Sequence, residues 1–288
     1  MLSLRTAVCQ GENLGRAYAR YGRYRGLWAP GVPMYAVAGS PVVPMLNLAE
    51  ALRTGAYRPT PPQTFSIAKA NGERRALRVY AICDRVAQRA VLHVMQERTE
   101  PQMSSCSFGY RPGRGVAGAL TRVRAHLNDG LSWVVDADVE HCFDAIPRGP
   151  LLAEVTRRLR TPEAAELVAQ CLGWETPEER EGVGIPQGSV LAPWLCNIYL
   201  WQLDDAMQAE RAAMVRFADD FVLLTPARPR AEALRGRCAE VMEQMRLRLH
   251  PLKTAIRDAS RPFRFLGQWL RETPRLPAPL VPAVGGGS

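Results

Sequence analysis

Two adjacent aspartates, Asp219 and Asp220, are the residues of this chain whose type and setting point most directly to chemistry. Apolar runs flank them in the sequence MVRFADDFVLL, residues 214–224, and this pattern predicts two strands joined by a tight turn. Carboxylates held between hydrophobic strands are costly unless a cation neutralises them, and hard divalent cations prefer carboxylate oxygens. We therefore predict a metal-binding turn, provided that a further carboxylate lies elsewhere in the chain.

A second pair of adjacent acids provides an internal comparison. Asp204 and Asp205 lie within residues 200–207, whose apolar spacing indicates a helix with a solvated face. We therefore predict that this second pair faces water and carries no chemistry.

The further carboxylate follows a short apolar strand at residues 133–135. Asp136 and Asp138 are two positions apart, so both point to the same side of an extended strand, and the period alone does not choose between them. Phe143 comes five positions after Asp138 and is followed by another acid, Asp144.

A third segment, GIPQGSVLAPWLCNIYL at residues 184–200, opens with a Pro/Gly loop and continues as an apolar helix. Gln187 and Gly188 lie in this loop, where small residues let a backbone approach a ligand closely. The same letters also fit an ordinary helix entrance capped by Ser189.

In this order and at these separations, the three segments resemble the palm of a reverse transcriptase. The resemblance selects Asp138 over Asp136 and implies that Asp138, Asp219 and Asp220 are catalytic metal ligands, together with the carbonyl of Val139. It also implies a Mg2+ cofactor, for which Mn2+ could substitute, in a two-metal nucleotidyl transfer.

The same resemblance implies contacts with the nucleotide substrate. Phe143 would pack under the sugar and exclude a 2′-hydroxyl, whereas Gln187 and Gly188 would lie against the incoming nucleotide and template. Lys253, in the segment LRLHPLKT, would be a catalytic residue that faces the triphosphate, although a lone lysine is normally a solvated charge. Phe217 takes a substrate-side position where tyrosine is commoner.

Upstream segments are similar to the fingers of the group II intron lineage of reverse transcriptases. Residues 67–77 predict a strand, an Asn-Gly turn and a returning strand, and residues 84–92 begin an amphipathic helix; the segment SFGYRPGR follows at 107–114. The resemblance implies that Lys69 and Arg75 bind nucleotide phosphates. Taken alone, a basic Asn-Gly hairpin is more often an exposed surface turn.

The resemblance covers roughly residues 45 to 270 and departs from the pattern at a few positions. Ala192 stands where serine is commoner, and Phe217 stands where tyrosine is commoner. Both replacements preserve the size of the side chain. Ala76 and Arg78 stand where that lineage usually has proline and glycine, which bears on the geometry of the fingers hairpin.

The fold class that follows is α+β: right-hand polymerase fingers and palm, with an antiparallel palm sheet backed by helices and no evident thumb. We expect an irregular N-terminal extension over 1–45 that packs on the fingers or binds RNA, fingers over 46–130, palm over 131–270, and a Pro/Gly linker-like tail over 271–288. Palm helices are predicted over residues 148–159, 162–172 and 230–247.

Composition is consistent with this class. The chain has 288 residues, 47% of them hydrophobic, and a net charge of +9, which suit a globular protein with a polyanionic partner. Arginines and tyrosines alternate over residues 16–25, as in nucleic-acid contacts or on one wet face of a helix. Seven cysteines without a CxxC pair indicate neither zinc nor disulfides, and Cys142 and Cys196 are expected to be buried thiols.

The function that we predict is RNA-directed DNA polymerase, with an RNA template, a DNA or RNA primer and dNTPs as partners. The linker-like composition of residues 271–288 and the absence of intron-enzyme segments favour a CRISPR spacer-acquisition system with an integrase partner, or another phage-defence system. Without a signal peptide or an apolar run of about 18 residues, a cytoplasmic protein with no membrane partner is expected. The alternatives are a DNA-templated or primer-independent polymerase and an inactive, maturase-like RNA-binding scaffold.

Overall fold

The computed structural model describes residues 3–68, 72, 74–174 and 176–271. Its strands are β1 (Leu27–Ala29), β2 (Val32–Pro33), β3 (Gln63–Ala68), β4 (Arg74–Val79), β5 (Trp133–Asp138), β6 (Ala213–Phe217), β7 (Asp220–Thr225), β8 (Ala255–Asp258), β9 (Phe263–Phe265) and β10 (Gln268–Leu270). Its helices are α1 (Leu4–Val8), α2 (Gly11–Ala19), α3 (Met34–Ala38), α4 (Val42–Thr54), α5 (Ile82–Thr99), α6 (Val116–Asn128), α7 (Cys142–Ala145), α8 (Arg148–Leu159), α9 (Pro162–Leu172), α10 (Pro177–Glu181), α11 (Ala192–Ala209) and α12 (Arg228–Gln244).

A four-stranded sheet of order β6-β7-β5-β8 lies at the centre of the fold, and its neighbouring strands are antiparallel. This sheet confirms the α+β class and the antiparallel palm that the sequence predicts. The central strands β5 and β7 contain unbroken apolar stretches, residues 133–135 and 221–224, because both faces of the sheet are covered there.

Alternate side chains of the sheet enter two separate cores. Val135 and Leu223 pack on one face with α11 and α12, whereas Val134 and Val222 pack on the other face with α6 and the β9–β10 hairpin. The sequence predicts helices α8 and α9 with the observed bounds, and α12 over 230–247 instead of Arg228–Gln244. It does not predict that α6 and β9–β10 cover the second face.

The N-terminal region is more regular than expected. Residues 1–45 were expected to be irregular, but they contain α1, α2, α3 and the first turn of α4. Leu4, Val8, Leu14 and Ala17 are buried in the main core, where α1 and α2 pack against α5. The glycines and prolines between Gly26 and Pro44 led to the prediction of an irregular region. In the structure these residues lie between short helices and do not prevent the helices from forming.

Part of the Arg/Tyr run at residues 16–25 belongs to the interior. Tyr21 is 1% exposed, and the guanidinium of Arg85 lies 4.6 Å from its ring centroid and 5.1 Å from that of Tyr24. Cation–π contacts of this kind tie the N-terminal region to α5. RNA contact by this run stays a prediction.

Two further expectations concern the ends and the thiols. The linker-like tail, apart from Arg271, lies outside the described residues. Cys142 and Cys196 are buried and unbridged, with their sulfurs 3.7 Å apart, as predicted.

No helix within the described part of the chain is both long and apolar enough to cross a membrane.

Candidate active site

The two adjacent aspartates lie at the tip of the β6–β7 hairpin, as the sequence predicts. Phe217 ends β6 and pairs with Asp220, which begins β7, so Ala218 and Asp219 form the turn. Ala218 has a φ of +58°, a left-handed conformation that a non-glycine residue adopts only when its surroundings hold it there.

Strand β5 brings the third carboxylate to this turn. Asp138 is the last residue of β5 and lies directly opposite Asp220 across the ladder. The next residue, Val139, is buried, and its amide donates to the carbonyl of Asp219 at 3.3 Å. Residues 138, 219 and 220 therefore meet at one end of the sheet.

Asp136 and Asp138 have different ion-pair partners, a difference that the strand period does not show. Asp136 Oδ2 accepts a hydrogen bond of 2.9 Å from Arg257 Nε on β8, so this carboxylate already has a guanidinium partner on the neighbouring strand. Asp138 instead accepts from Lys253 Nζ, whose side chain is 61% exposed. An exposed ion pair contributes only about 0–1 kcal/mol, so a divalent cation can displace this lysine at small cost.

The carboxylates repel one another strongly. Burial first, and then the negative charges of Asp136, Asp138 and Asp219, raise the pKa of Asp220 to about 7. Burial and the charge of Asp138 also raise the pKa of Asp219. A bound cation would remove this repulsion, and an all-oxygen donor set of carboxylates and a carbonyl suits a hard ion such as Mg2+.

The carboxylates do not yet form a closed ligand set. Within the described ranges, no three His, Cys, Asp or Glu side chains converge as a group that could hold a metal ion. Lys253 Nζ contacts Asp138, and the hydrogen bond to this carboxylate raises the pKa of the lysine. The residues present fit Mg2+ by chemistry, since they offer carboxylate and carbonyl oxygens at one end of the sheet.

Divalent cations should stabilise the protein more at pH 8 than at pH 6. The pKa of Asp220 in the folded protein, about 7, lies above its ordinary 3.8, so the folded state binds the proton more tightly than the unfolded state. In the metal-free protein, ionising Asp220 therefore lowers stability as pH rises towards 7, and a bound cation offsets that loss. Thermal unfolding with and without Mn2+ at both pH values measures the difference. Asp220→Asn should abolish the pH dependence of the shift; equal shifts at both pH values in the wild type would contradict the assignment.

The Gln187–Gly188 loop packs against the fingers strand β4. The amide of Arg78 donates to the carbonyl of Gln187 at 2.8 Å. Gly188 has a φ of +105°, and a Cβ atom there would lie 2.1 Å from the carbonyl oxygen of Arg78, so only glycine fits. Gln187 Nε2 contacts both carboxylate oxygens of Asp144 at 3.1 Å, which brings the loop next to α7.

Ser189 has two roles in this loop. Its Oγ accepts a hydrogen bond of 3.1 Å from the amide of Leu191, the residue before α11, so the alternative interpretation as a helix entrance held by Ser189 is also consistent with the structure. The same Oγ donates to Gln88 Oε1 of α5 at 3.0 Å, and Gln88 Nε2 donates to the carbonyl of Cys171. The serine therefore joins the loop to the fingers helix.

The remaining predicted substrate residues lie on several elements. Phe143 is half-buried on α7, and its carbonyl accepts from Ile185 at 2.7 Å, so it adjoins the Gln187 loop. Phe217 is half-buried, with its ring centroid 6.3 Å from that of Tyr110. Arg75 lies on β4 opposite Ile67. Lys69 lies outside the described residues.

The prediction that Asp204 and Asp205 both face water is wrong for Asp204. The Asp205 side chain is 46% exposed, but that of Asp204 is 1% exposed and forms two hydrogen bonds, of 2.7 and 2.6 Å, with Arg216. Burial by itself disfavours the charged guanidinium, yet Asp204 outweighs it and raises the pKa of Arg216 above its ordinary value. A lone arginine within the apolar run MVRF is the sequence signal that could have revealed this pair.

Two carboxylates on a hairpin turn, a third on the neighbouring strand, an adjacent lysine and a Pro-Gln-Gly loop define the palm of a nucleic-acid polymerase. The family described as "Reverse transcriptase (RNA-dependent DNA polymerase)" matches residues 67–270. The match covers more than half of the chain, and the chain therefore belongs to the reverse transcriptase family.

Relatives and solved structures agree with this assignment. The chain is 30% identical over 271 residues to "Protein YkfC" of Escherichia coli K12, covering 77% of this chain and 70% of the relative. It is also 30% identical to "Group II intron-encoded protein LtrA" of Lactococcus lactis, over 55% of this chain but 27% of LtrA. Telomerase from Candida albicans, solved with a telomeric RNA fragment, shares the fold with a TM-score of 0.60 at 12% identity, over 84% of this chain and 49% of the telomerase chain.

Proposed function

We propose that this chain is an RNA-directed DNA polymerase that extends a DNA or RNA primer on an RNA template. The observation that carries the proposal is the placement of Asp138 directly opposite Asp220 and beside the Asp219 turn. Membership of the reverse transcriptase family supports RNA as the template. The presence of Asp138, Asp219, Asp220 and Lys253 together favours an active enzyme over an RNA-binding scaffold.

The site would hold two Mg2+ ions through Asp138, Asp219, Asp220 and the Val139 carbonyl. These ions would acidify the primer 3′-hydroxyl and neutralise charge on the leaving pyrophosphate. No residue acts as a covalent nucleophile. Lys253 is exposed and reaches the carboxylate edge, so its ammonium would turn from Asp138 to the triphosphate as the nucleotide enters.

Other residues would position the nucleotide. Lys69 and Arg75 on the fingers hairpin would bind its phosphates, and Phe143 would pack under its sugar. Gln187 and Gly188 would border its base and the template, because their loop joins β4 to the carboxylate edge through Asp144 and α7. Phe217 would support the nucleotide from the strand that carries the catalytic turn.

Primer extension on RNA and DNA templates of identical sequence tests the proposal. Purified protein with Mg2+ and dNTPs should extend the primer on RNA, and no extension should occur when the primer is omitted. Preferential extension on DNA would favour the DNA-templated alternative, and synthesis without a primer would favour the primer-independent one. A protein that binds the RNA duplex without incorporating any nucleotide, with either Mg2+ or Mn2+, would fit the scaffold.

The biological setting that we propose is CRISPR spacer acquisition or another phage-defence system, in the cytoplasm. Membership of the reverse transcriptase family and a net charge of +9 suit a protein that copies nucleic acid in such a system. Affinity purification from cells that express the protein at its natural level tests this setting. Recovery of an integrase subunit would support spacer acquisition, whereas recovery of intron RNA alone would contradict it.

A further inference from the structure

A fully buried arginine contacts the backbone of the turn that carries Asp219. Arg216 is 0% exposed, and its Nη1 donates to the carbonyl of Ala218 at 3.0 Å. The same nitrogen donates to Asn197 Oδ1 on α11 at 2.9 Å, while Nε and Nη2 are held by Asp204. One planar group thus joins helix α11 to the residue immediately before Asp219.

The turn is held from its other side by the segment at residues 106–109. The Arg216 amide donates to the Cys106 carbonyl and its carbonyl accepts from Phe108, both at 2.8 Å. Asn197 Nδ2 donates to the Gly109 carbonyl at 2.7 Å, and a Cβ atom on Gly109 would lie 2.5 Å from the amide nitrogen of Ala218. Asn197 therefore connects both sides of the turn.

Ala218 needs this support because of its conformation. Its φ of +58° is disfavoured for a residue with a Cβ atom, and the residue that follows it carries the Asp219 carboxylate. The buried hydrogen bond to its carbonyl, made by a charged donor, is the contact that fixes the peptide plane between Ala218 and Asp219.

We propose that Arg216 is a positioning residue that sets the place of the Asp219 carboxylate through the Ala218 carbonyl, with Asp204 and Asn197 fixing Arg216. This inference rests on the proposed two-metal chemistry at Asp219. An ion pair that only stabilised the fold would need only the bonds from Arg216 Nε and Nη2 to Asp204. Arg216 has a third nitrogen, Nη1, and this nitrogen donates to the backbone of the turn at the Ala218 carbonyl.

Arg216→Lys separates positioning from charge. Lysine keeps the positive charge beside Asp204, but its ammonium is a single donor point and does not reproduce the planar fork that reaches Asp204, Asn197 and Ala218 together. Arg158→Lys is the matched control: Arg158 is also largely buried, with its side chain 10% exposed and 2.6 Å from Glu154, but it lies on α8 and contacts no part of the turn.

For Arg216→Lys we expect kcat for single-nucleotide incorporation to fall by about 100-fold while KM for dNTP stays within about twofold, because a displacement of about 1 Å at the reacting centre costs this much. Mn2+ affinity, measured without template or nucleotide by electron paramagnetic resonance titration, should fall about tenfold. Arg158→Lys should match the wild type in kcat and Mn2+ affinity even where its melting temperature falls.

A folded Arg216→Lys protein with wild-type kcat and Mn2+ affinity would overturn the inference. Asn197→Ala, which keeps the ion pair but removes the bonds to Arg216 Nη1 and Gly109, provides a second, uncharged variant and should shift both readouts in the same direction. If the wild type incorporates no nucleotide, the proposed function fails, and the Mn2+ titration still decides whether Arg216 positions the carboxylates.

Discussion

Asp219→Asn should reduce nucleotide incorporation by roughly a thousandfold or more, equivalent to about 4 kcal/mol of transition-state stabilisation. The substitution keeps the size and polarity of the side chain but removes one of the negative charges that a divalent cation requires. Because burial raises the pKa of Asp219, the substitution should also leave the metal-free protein at least as stable as the wild type at neutral pH. Single-turnover extension and thermal unfolding measure the two effects.

Asp205→Asn is the matched control for this prediction. The two substitutions are chemically identical, but Asp205 is on the exposed side of α11 and pairs with Arg158 at 2.6 Å. The Asp205 side chain is 46% exposed and lies away from the Asp219 turn, so incorporation should stay near the wild-type rate. Equal rates for both variants, or a folded Asp219→Asn enzyme that still polymerises, would remove Asp219 from the metal site.

The hairpin that carries Asp219 and Asp220 and the strand beside it are predictable because their information is local. The apolar runs on either side of Asp219 and Asp220 predict two strands and a turn, and the run before Asp138 predicts a third strand. Antiparallel pairing then brings the carboxylates to one end of the sheet, as the observed register does. The choice of Asp138 over Asp136 needed the family resemblance, because both lie on one face of the strand.

The partners of buried charges are not predictable from local pattern. Asp204 occupies a helix position that the apolar spacing assigns to solvent, and only the tertiary approach of β6 places Arg216 against it. The same limit applies to Gly188, since its lack of a Cβ matters only because a Cβ there would lie 2.1 Å from the carbonyl oxygen of Arg78, a residue distant in sequence. Sequence reasoning finds the groups that carry chemistry more readily than the groups that hold them in place.

The N-terminal helices show a different failure. Apolar residues at positions 4, 8, 14 and 17 have helical spacing, but each run is too short to outweigh the glycines and prolines that follow. These helices are stabilised by packing on α5, a long-range contact that no window of the sequence contains. Tertiary contact therefore decides their structure.

Phe143→Ala should admit ribonucleotides, with discrimination between dNTP and NTP falling on the order of 100-fold. Phe143 follows β5 on the short helix α7, and its carbonyl accepts a hydrogen bond of 2.7 Å from Ile185, which ties its half-buried position to the neighbouring loop. Removing the ring removes the steric conflict without touching the carboxylates. The rate with dNTPs should therefore fall much less than the selectivity.

Competing single-nucleotide incorporation of a dNTP and the matching NTP measures this selectivity directly. Phe143→Tyr, which keeps the ring, serves as the control and should retain the wild-type ratio. Unchanged sugar discrimination in a folded Phe143→Ala enzyme would rule out the gate. The loss predicted for Phe143→Ala concerns selectivity, whereas the loss predicted for Asp219→Asn concerns rate. The two variants together therefore separate the group that excludes the ribose, on α7, from a group that performs the transfer, in the turn between β6 and β7.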